Sequence, residues 1–217
     1  MRITADKLLD YLNTLFEKPV IELNYGSDFE LLVAVILSAQ CTDVRVNEVT
    51  KGLFAKYNTP VHFATLDETY LQQIIRPCGL SKTKAKNLIA TARALIDRHG
   101  GQVPSTLGEL VALAGVGQKT ANVVLYAAFG LPAIAVDTHV FRVSNRLGLS
   151  ASISKTGAKN FKKCEADLRD FFKKENWGQA HHLLVLFGRY YCKAVKPLCV
   201  GCKIKEYCIH YKTCAGK

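Results

Sequence analysis

Hydrophobic residues recur along this chain at the spacing of helices. Apolar side chains three or four residues apart mark two clear stretches: Leu8, Leu12, Leu15 and Phe16, and Leu88, Ala92, Leu95 and Ile96. No segment alternates convincingly with the period of two that a half-buried strand requires. The pattern predicts an all-α fold of about ten helices joined by short connections.

Residues typical of helix ends support this prediction. Two segments, beginning at Thr65 and at Thr106, have the hydroxyl and the carboxylate of a capping box, so each predicts a helix start. Three glycines follow apolar stretches and are predicted to be left-handed residues that end helices: Gly100, Gly130 and Gly148. The run from Leu31 to Leu37 is apolar on every side, which predicts the central helix of a domain.

The chain is strongly basic. Its 29 Lys and Arg residues against 18 Asp and Glu residues give the 217-residue chain a formal net charge of +11. Such an excess favours a polyanionic partner, either nucleic acid or an anionic membrane. The longest apolar run is far shorter than the roughly 20 residues of a transmembrane helix, and the N-terminus lacks the pattern of a secretory signal. We therefore expect a cytoplasmic protein with no membrane partner.

A glycine-containing segment between two helical patterns is the first candidate site. Residues 113–124, LAGVGQKTANVV, predict a short capped helix, a tight hairpin and a longer apolar helix. Glycine allows left-handed angles and the close approach of another chain, so amides at Gly115 and Gly117 are suited to phosphate binding beside a helix N-terminus. An ordinary turn between helices has the same pattern, and the basic charge is what favours DNA.

Lys119 lies in the first turn of the second predicted helix. A cation there is mildly unfavourable because the helix N-terminus carries a partial positive charge. The same field favours the neutral amine, which is the nucleophilic form. Lys82, Lys84 and Lys86 would add to this effect if the fold brought them near, and the alternative is an ordinary surface lysine.

Asp137 follows the apolar, strand-like segment Ile134-Ala135-Val136 and opens another predicted helix. Aspartate is a common N-cap, so the residue has a structural explanation as well as a catalytic one. His139, two residues later, is either part of a site or a packing residue in the first turn.

Four of the eight cysteines form a spaced set near the C-terminus. Cys192-x6-Cys199-x2-Cys202-x5-Cys208 supplies four thiolates, enough for tetrahedral zinc or a four-iron cluster, while Cys214 lies outside the pattern. In a reducing cytoplasm these cysteines are not expected to be disulfides. Basic residues alternate with them and either contact phosphate or keep the loop soluble: Arg189, Lys193, Lys196, Lys203 and Lys205.

The segment LAGVGQKTANVVLYAAFGLPAIAVDTHVFRVSNRLGL, which contains both Lys119 and Asp137, resembles the active-site region of the endonuclease III family of DNA glycosylases. The resemblance extends over essentially the whole chain, including SAQCTD at residues 38–43 and the cysteine loop. It implies a helix-hairpin-helix enzyme that excises oxidised or ring-saturated pyrimidines and cleaves abasic sites by β-elimination. Lys119 matches the family's lysine nucleophile, and Asp137 matches its essential carboxylate.

The resemblance also implies two helical domains: a barrel domain with the hairpin at 22–132, and an iron–sulfur domain at 1–21 and 133–217. A [4Fe-4S] cluster is implied on the four spaced cysteines. The implied partner is double-stranded DNA with a damaged base or an abasic site, bound by a monomer. The residues expected to contact DNA are Gln40, Leu80, Gly115, Val116, Gly117, Lys119, Thr120, His139, Lys193 and Lys196.

Gln40 and Leu80 are implied to enter the gap left by an extruded nucleotide. Their alternative interpretations are a polar helix end and a core leucine under a loop. The chain departs from the family pattern at Ala114, usually proline, at Gln118, frequently basic, and at Cys41, commonly a smaller residue. Alanine at position 114 predicts a less rigid hairpin, and glutamine at position 118 predicts weaker phosphate contacts.

Two other functions fit part of the sequence. An adenine-specific glycosylase of the same kind uses water, and Lys119 argues against it. A DNA-binding or zinc-structural module without catalysis leaves the combination of Lys119 and Asp137 unexplained.

Overall fold

The computed structural model describes residues 2–16 and 21–214, apart from the side chain of Cys214. In these residues the chain forms twelve α-helices, and the only β-type pairing described is an isolated bridge between Ile153 and Lys159. The predicted all-α fold is confirmed. No helix in this described part is long and apolar enough to cross a membrane.

The chain divides into two compact units: Ile21–Gly130, and Met1–Val20 with Leu131–Lys217. The predicted domain segments include residues 1, 17–20 and 215–217, which lie outside the described residues. The unit of residues 21–130 contains seven helices and a 3₁₀ turn: α2 (Asp28–Leu37), α3 (Asp43–Phe54), α4 (Pro60–Thr65), α5 (Glu68–Ile75), the turn Arg76–Cys78, α6 (Ser81–His99), α7 (Leu107–Val111) and α8 (Gln118–Phe129).

Helix α2 is the centre of this unit. Every side chain from Leu31 to Leu37 is at most 6% exposed, and the helix packs against α3, α6 and α8. The prediction of a central helix is therefore confirmed. Burial on every face explains why the segment lacks the polar stripe of a surface helix.

The other unit contains five α-helices, two 3₁₀ turns and one π-helical turn: α1 (Ala5–Leu15), α9 (Thr138–Leu147), α10 (Phe161–Phe171), the turn Lys174–Asn176, α11 (Trp177–Leu186), the π turn Phe187–Tyr191, the turn Lys205–Tyr207 and α12 (Ile209–Cys214). Helix α1 packs against α11, and Leu8 and Leu12 share a core with Val140 and Leu183. Cys208, near the other chain end, belongs to the same core.

Most predicted helix ends are observed. Gly100, Gly130 and Gly148 end α6, α8 and α9 with φ of 57°, 64° and 74°. Thr106 caps α7 by accepting a hydrogen bond from the Glu109 amide at 3.4 Å.

The capping box predicted at Thr65 is wrong. Thr65 is the last residue of α4, and its hydroxyl donates to the carbonyl oxygens of Val61 and His62. Asp67 caps α5 instead, because its carboxylate accepts from the Tyr70 amide at 2.8 Å. A threonine hydroxyl can bond to a carbonyl of the preceding turn as easily as to an amide of the following one. Because α4 begins at Pro60, Thr65 lies at the end of this helix and its hydroxyl bonds backward. The described residues form twelve α-helices where about ten were predicted, and several of the twelve are short, such as α4 and α12.

Candidate functional site

The hairpin between α7 and α8 depends on Gly115. Its φ is 76°, and an added Cβ would lie 2.9 Å from the Asn87 Nδ2 atom. Gly117 has an ordinary φ of −87°, and a Cβ there would meet no atom within 4 Å. Gly115 is therefore needed by the fold, whereas Gly117 leaves open space beside the backbone at the start of α8.

Two further residues fix the hairpin to the core of its unit. The side chain of Val116 is 5% exposed, and the Thr91 hydroxyl of α6 donates to the Ala114 carbonyl at 2.8 Å. Ala114 lies where the family resemblance led us to expect proline, and its carbonyl is held by this bond. This hydrogen bond restrains the hairpin, and the prediction of a less rigid hairpin did not take it into account.

Lys119 is exposed in the first turn of α8, with Gln118 exposed before it and Thr120 half-buried after it. A primary amine at this position is open to solvent. Lys84, by contrast, is only 4% exposed, and its Nζ donates to the carbonyls of Leu37, Ala39 and Cys78 at 2.8, 2.8 and 2.9 Å. Lys84 therefore holds backbone within its own unit, and burial lowers its pKa.

Gln40 and Leu80 lie in the two segments that Lys84 holds. Both are left-handed, with φ of 57° and 49°, and both are exposed. The interpretation of Leu80 as a core residue is wrong, because 57% of it is exposed. A leucine costs about 1–3 kcal/mol in this backbone region, so the surrounding contacts must support the conformation.

Asp137 is the N-cap of α9, as predicted. Its Oδ1 accepts from the amides of His139 and Val140, each at 2.8 Å. The preceding residues 133–136 are buried but form no strand. His181 of α11 holds this segment: its Nδ1 lies 2.7 Å from the Ala135 carbonyl, and because a carbonyl only accepts, Nδ1 is the donor.

His139 and the cysteine loop are joined by Arg142. Its Nη2 donates to the Gly188 carbonyl at 2.7 Å and lies 3.3 Å from His139 Nδ1, while its Nε donates to the Cys192 carbonyl at 3.1 Å. Gly188 permits this packing, since a Cβ there would lie 2.8 Å from the His139 Cβ. Burial lowers the pKa of the Arg142 guanidinium.

All four spaced cysteines line one cavity of about 30 Å³, together with apolar and aromatic residues such as Leu147 and Tyr191. The seven cysteines with described side chains are free thiols. No three His, Cys, Asp or Glu side chains in the described ranges form a group that could hold a single metal ion. Burial raises the pKa of the thiols of Cys202 and Cys208.

Arg146, one turn after Arg142, supports the first part of this loop. Its Nη1 lies 3.5 Å from the Cys192 Sγ and donates to the Lys193 carbonyl at 2.6 Å, and its Nη2 donates to the Ala194 carbonyl at 3.1 Å. Lys193 and Lys196 remain exposed, and Lys196 is left-handed with φ of 51°.

Sequence reasoning missed three residues of this arrangement: Arg142, Arg146 and His181. It named Lys84 only as a cation that could act on Lys119, and it missed the bonds of Lys84 to backbone carbonyls. The four-residue spacing of the two arginines on α9 was a visible signal of a shared face. Lys84 and His181 gave no such signal, because their partners are carbonyls distant in sequence.

Comparisons with known proteins agree with this geometry. Residues 33–171 match the family model described as "HhH-GPD superfamily base excision DNA repair protein". The chain is 47% identical to endonuclease III of Rickettsia conorii, over 95% of this chain and 96% of that protein. It is 46% identical to that of Bacillus subtilis, over 92% and 89%, and 45% identical to that of Escherichia coli K12, over 93% and 94%.

Solved structures show the same likeness. A non-covalent endonuclease III–DNA complex aligns with a TM-score of 0.90 at 44% identity, covering 98% of this chain and 97% of that one. A trapped endonuclease III–DNA covalent intermediate aligns at 0.89 and 44% identity, covering 98% and 99%. The resemblance found in the sequence is thereby confirmed: the chain belongs to the endonuclease III family of the HhH-GPD superfamily of base excision DNA repair proteins.

Proposed function

We propose that this protein is a bifunctional DNA glycosylase and abasic-site lyase that acts on double-stranded DNA through a Schiff base on Lys119. The observation that carries the proposal is the exposed primary amine of Lys119 in the first turn of α8, directly after the glycine hairpin. A relative covering 98% of this chain has been trapped as a covalent DNA intermediate, which requires a nucleophile. The substrate class is oxidised or ring-saturated pyrimidines together with abasic sites.

The chemistry begins with extrusion of the damaged nucleotide, because C1′ is inaccessible in a stacked duplex. Unstacking costs a few kcal/mol and is least for a damaged base. Neutral Lys119 then attacks C1′ and the base leaves. The resulting iminium acidifies the adjacent sugar carbon, so β-elimination breaks the strand and hydrolysis releases the enzyme.

Asp137 serves as the carboxylate of this reaction. Its negative charge stabilises the developing positive charge on the sugar and assists proton transfer. Two amide hydrogen bonds and the N-terminus of α9 hold the carboxylate in place. The Ala135 carbonyl, held by His181, fixes the segment leading to it.

The DNA contacts follow from the exposed groups. The exposed hairpin residues Gly115 and Gly117 offer backbone amides to a phosphate, with Thr120 in the next turn. Val116, whose amide donates to the Leu113 carbonyl at 3.2 Å, supports this contact by holding the hairpin in shape. Gln40 and Leu80 enter the gap left by the extruded nucleotide, and their exposed left-handed positions support this role. His139 and the exposed Lys193 and Lys196 are proposed to contact the phosphate backbone of the DNA.

The cysteine loop is proposed to hold a [4Fe-4S] cluster through Cys192, Cys199, Cys202 and Cys208. Two observations support this assignment of a cluster to the loop: four free thiols border one cavity, and the Arg146 guanidinium lies beside the Cys192 sulfur. These four cysteines would hold the cluster, which would supply a structural centre for the loop that presents Lys193 and Lys196. The units of residues 21–130 and of the two chain ends correspond, in this proposal, to the barrel domain and the iron–sulfur domain. The protein is proposed to act as a monomer.

Borohydride trapping tests the Schiff base. Duplexes carrying thymine glycol, uracil or an abasic site are incubated with the protein and borohydride, and covalent complexes are counted on a denaturing gel. We expect trapping with thymine glycol and abasic DNA, its loss in Lys119→Gln, and its retention in the exposed control Lys51→Gln. Trapping that survives Lys119→Gln would assign the nucleophile to another amine. Base release without trapping would indicate a glycosylase that uses water.

A further inference from the structure

Two cysteines outside the spaced loop lie beside the segments that carry Gln40 and Leu80. Cys41 follows Gln40 directly, and Cys78 ends the 3₁₀ turn two residues before Leu80. The two thiols are close enough to interact with each other. Neither thiol takes part in the proposed glycosylase chemistry, which therefore does not explain the pair.

The backbone on both sides of this thiol pair is fixed. Lys84 Nζ donates to the Ala39 carbonyl at 2.8 Å and to the Cys78 carbonyl at 2.9 Å, so one nitrogen holds both segments. Helix α3, which begins just after Cys41, packs against the turn Arg76–Cys78. The backbone segments that carry the two cysteines are therefore held beside each other by the fold.

The two sulfurs differ in access and share one cation. Cys41 is partly exposed, whereas Cys78 is 1% exposed. Burial raises the pKa of the Cys78 thiol to about 11. The Lys84 ammonium interacts electrostatically with both sulfurs. Cys41 is thus the sulfur that meets a solute, and Cys78 is the internal partner.

We propose that Cys41 and Cys78 are an oxidation site that a hydroperoxide converts into a disulfide. The Cys41 thiolate attacks one peroxide oxygen; the S–O bond forms, the O–O bond breaks, and the leaving hydroxide takes a proton to become water. The Cys78 sulfur then attacks the Cys41 sulfenic acid, and the displaced hydroxide leaves as water with the Cys78 proton. Two thiols supply two electrons, so one hydrogen peroxide becomes two waters.

The disulfide would join the Gln40 and Leu80 segments covalently. In a reducing compartment such a bond is transient and senses oxidants. Its effect on DNA rests on the proposed function: if both segments enter the lesion, the bond restricts their adjustment to DNA and lowers affinity for an abasic duplex. The disulfide itself does not depend on that role.

The test uses the full-length, cluster-loaded protein. Equimolar hydrogen peroxide is added, free thiols are alkylated, and digested peptides are analysed by mass spectrometry with and without dithiothreitol. We expect a peptide pair joined through Cys41 and Cys78, lacking two hydrogens and separated by dithiothreitol. In Cys78→Ser, dimedone should capture a sulfenic acid at Cys41. The Cys41→Ser/Cys78→Ser variant, with every loop cysteine retained, controls for oxidation of the cluster.

The proposal is overturned if Cys41 is oxidised further without the cross-link, if it pairs with another cysteine, or if both thiols survive a peroxide dose that oxidises free cysteine. Abasic-DNA binding is measured on the same samples. A several-fold loss of affinity on oxidation, reversed by dithiothreitol and missing from the double variant, supports the effect on the two segments. If the cross-link forms but neither form binds or traps abasic DNA, the proposed function fails and the oxidation site stands.

Discussion

Replacing Lys84 by methionine tests whether the buried ammonium holds the two segments near Gln40 and Leu80. Lys84→Met keeps most of the aliphatic stem and removes three hydrogen-bond donors. The bonds to Leu37 and Cys78 are buried, and the bond to Ala39 is partly buried. Each buried acceptor left without a partner costs about 1–3 kcal/mol.

The two buried carbonyls alone predict a loss of about 2–6 kcal/mol in the free energy of unfolding. Water can replace the donor at the partly buried carbonyl. Replacing the buried ammonium by an apolar side chain of similar shape also removes its desolvation penalty, which offsets part of this loss. We therefore expect a net destabilisation of about 2–4 kcal/mol.

Urea unfolding followed by circular dichroism measures this change. With a slope of about 2 kcal/mol per molar urea, the midpoint should fall by about 1–2 M. Lys86→Met is the matched control, because Lys86 is exposed on the same helix and should change stability by less than about 0.5 kcal/mol. If the two variants unfold within about 0.5 kcal/mol of each other, the carbonyl contacts do not stabilise the unit and the reasoning is refuted.

Three further results are expected. Asp137→Asn should keep most of its N-cap hydrogen bonding and fold normally, but it should slow base release by orders of magnitude in a single-turnover excision assay; full activity with a lower melting temperature would make Asp137 only a cap. Metal analysis of protein prepared without oxygen should find iron and sulfide, and stoichiometric zinc alone would contradict the cluster. Burial, followed by repulsion from His181, lowers the pKa of His182 from 6.5 to about 3. As the pH falls, His182 is therefore protonated in the unfolded state before it is protonated in the folded state. The free energy of unfolding should drop between pH 6.5 and about 3. His182→Gln should reduce that loss by up to about 2 kcal/mol at pH 5, as measured by urea unfolding at pH 7 and pH 5.

Features that depend on near neighbours in the chain were predictable. The helical period around Leu8 and Leu88, the glycine ends at Gly100 and Gly148, and the cap at Asp137 all depend on residues within one or two turns. The spacing of the four cysteines is likewise local to one loop, so the sequence alone identified a candidate centre. Local pattern was nevertheless ambiguous at the predicted helix start at Thr65, because the same hydroxyl can bond to the preceding or to the following turn.

Features that depend on distant residues were decided by the tertiary structure. Lys84 resembles any lysine on a basic helix until the carbonyls of Leu37 and Cys78 are brought to its ammonium. Leu80 could be either a residue that enters the DNA or a core leucine on sequence alone, and the fold excludes the second by exposing it in a left-handed conformation. Arg146 reaches Cys192 only because α9 lies beside the cysteine loop. The sequence by itself indicated the helices and the set of four thiols, because these need only local pattern. It singled out Lys119 and Asp137 as candidate nucleophile and carboxylate by local pattern together with the family resemblance. Which charges are buried, and which backbone groups they satisfy, required long-range packing that no local pattern contains.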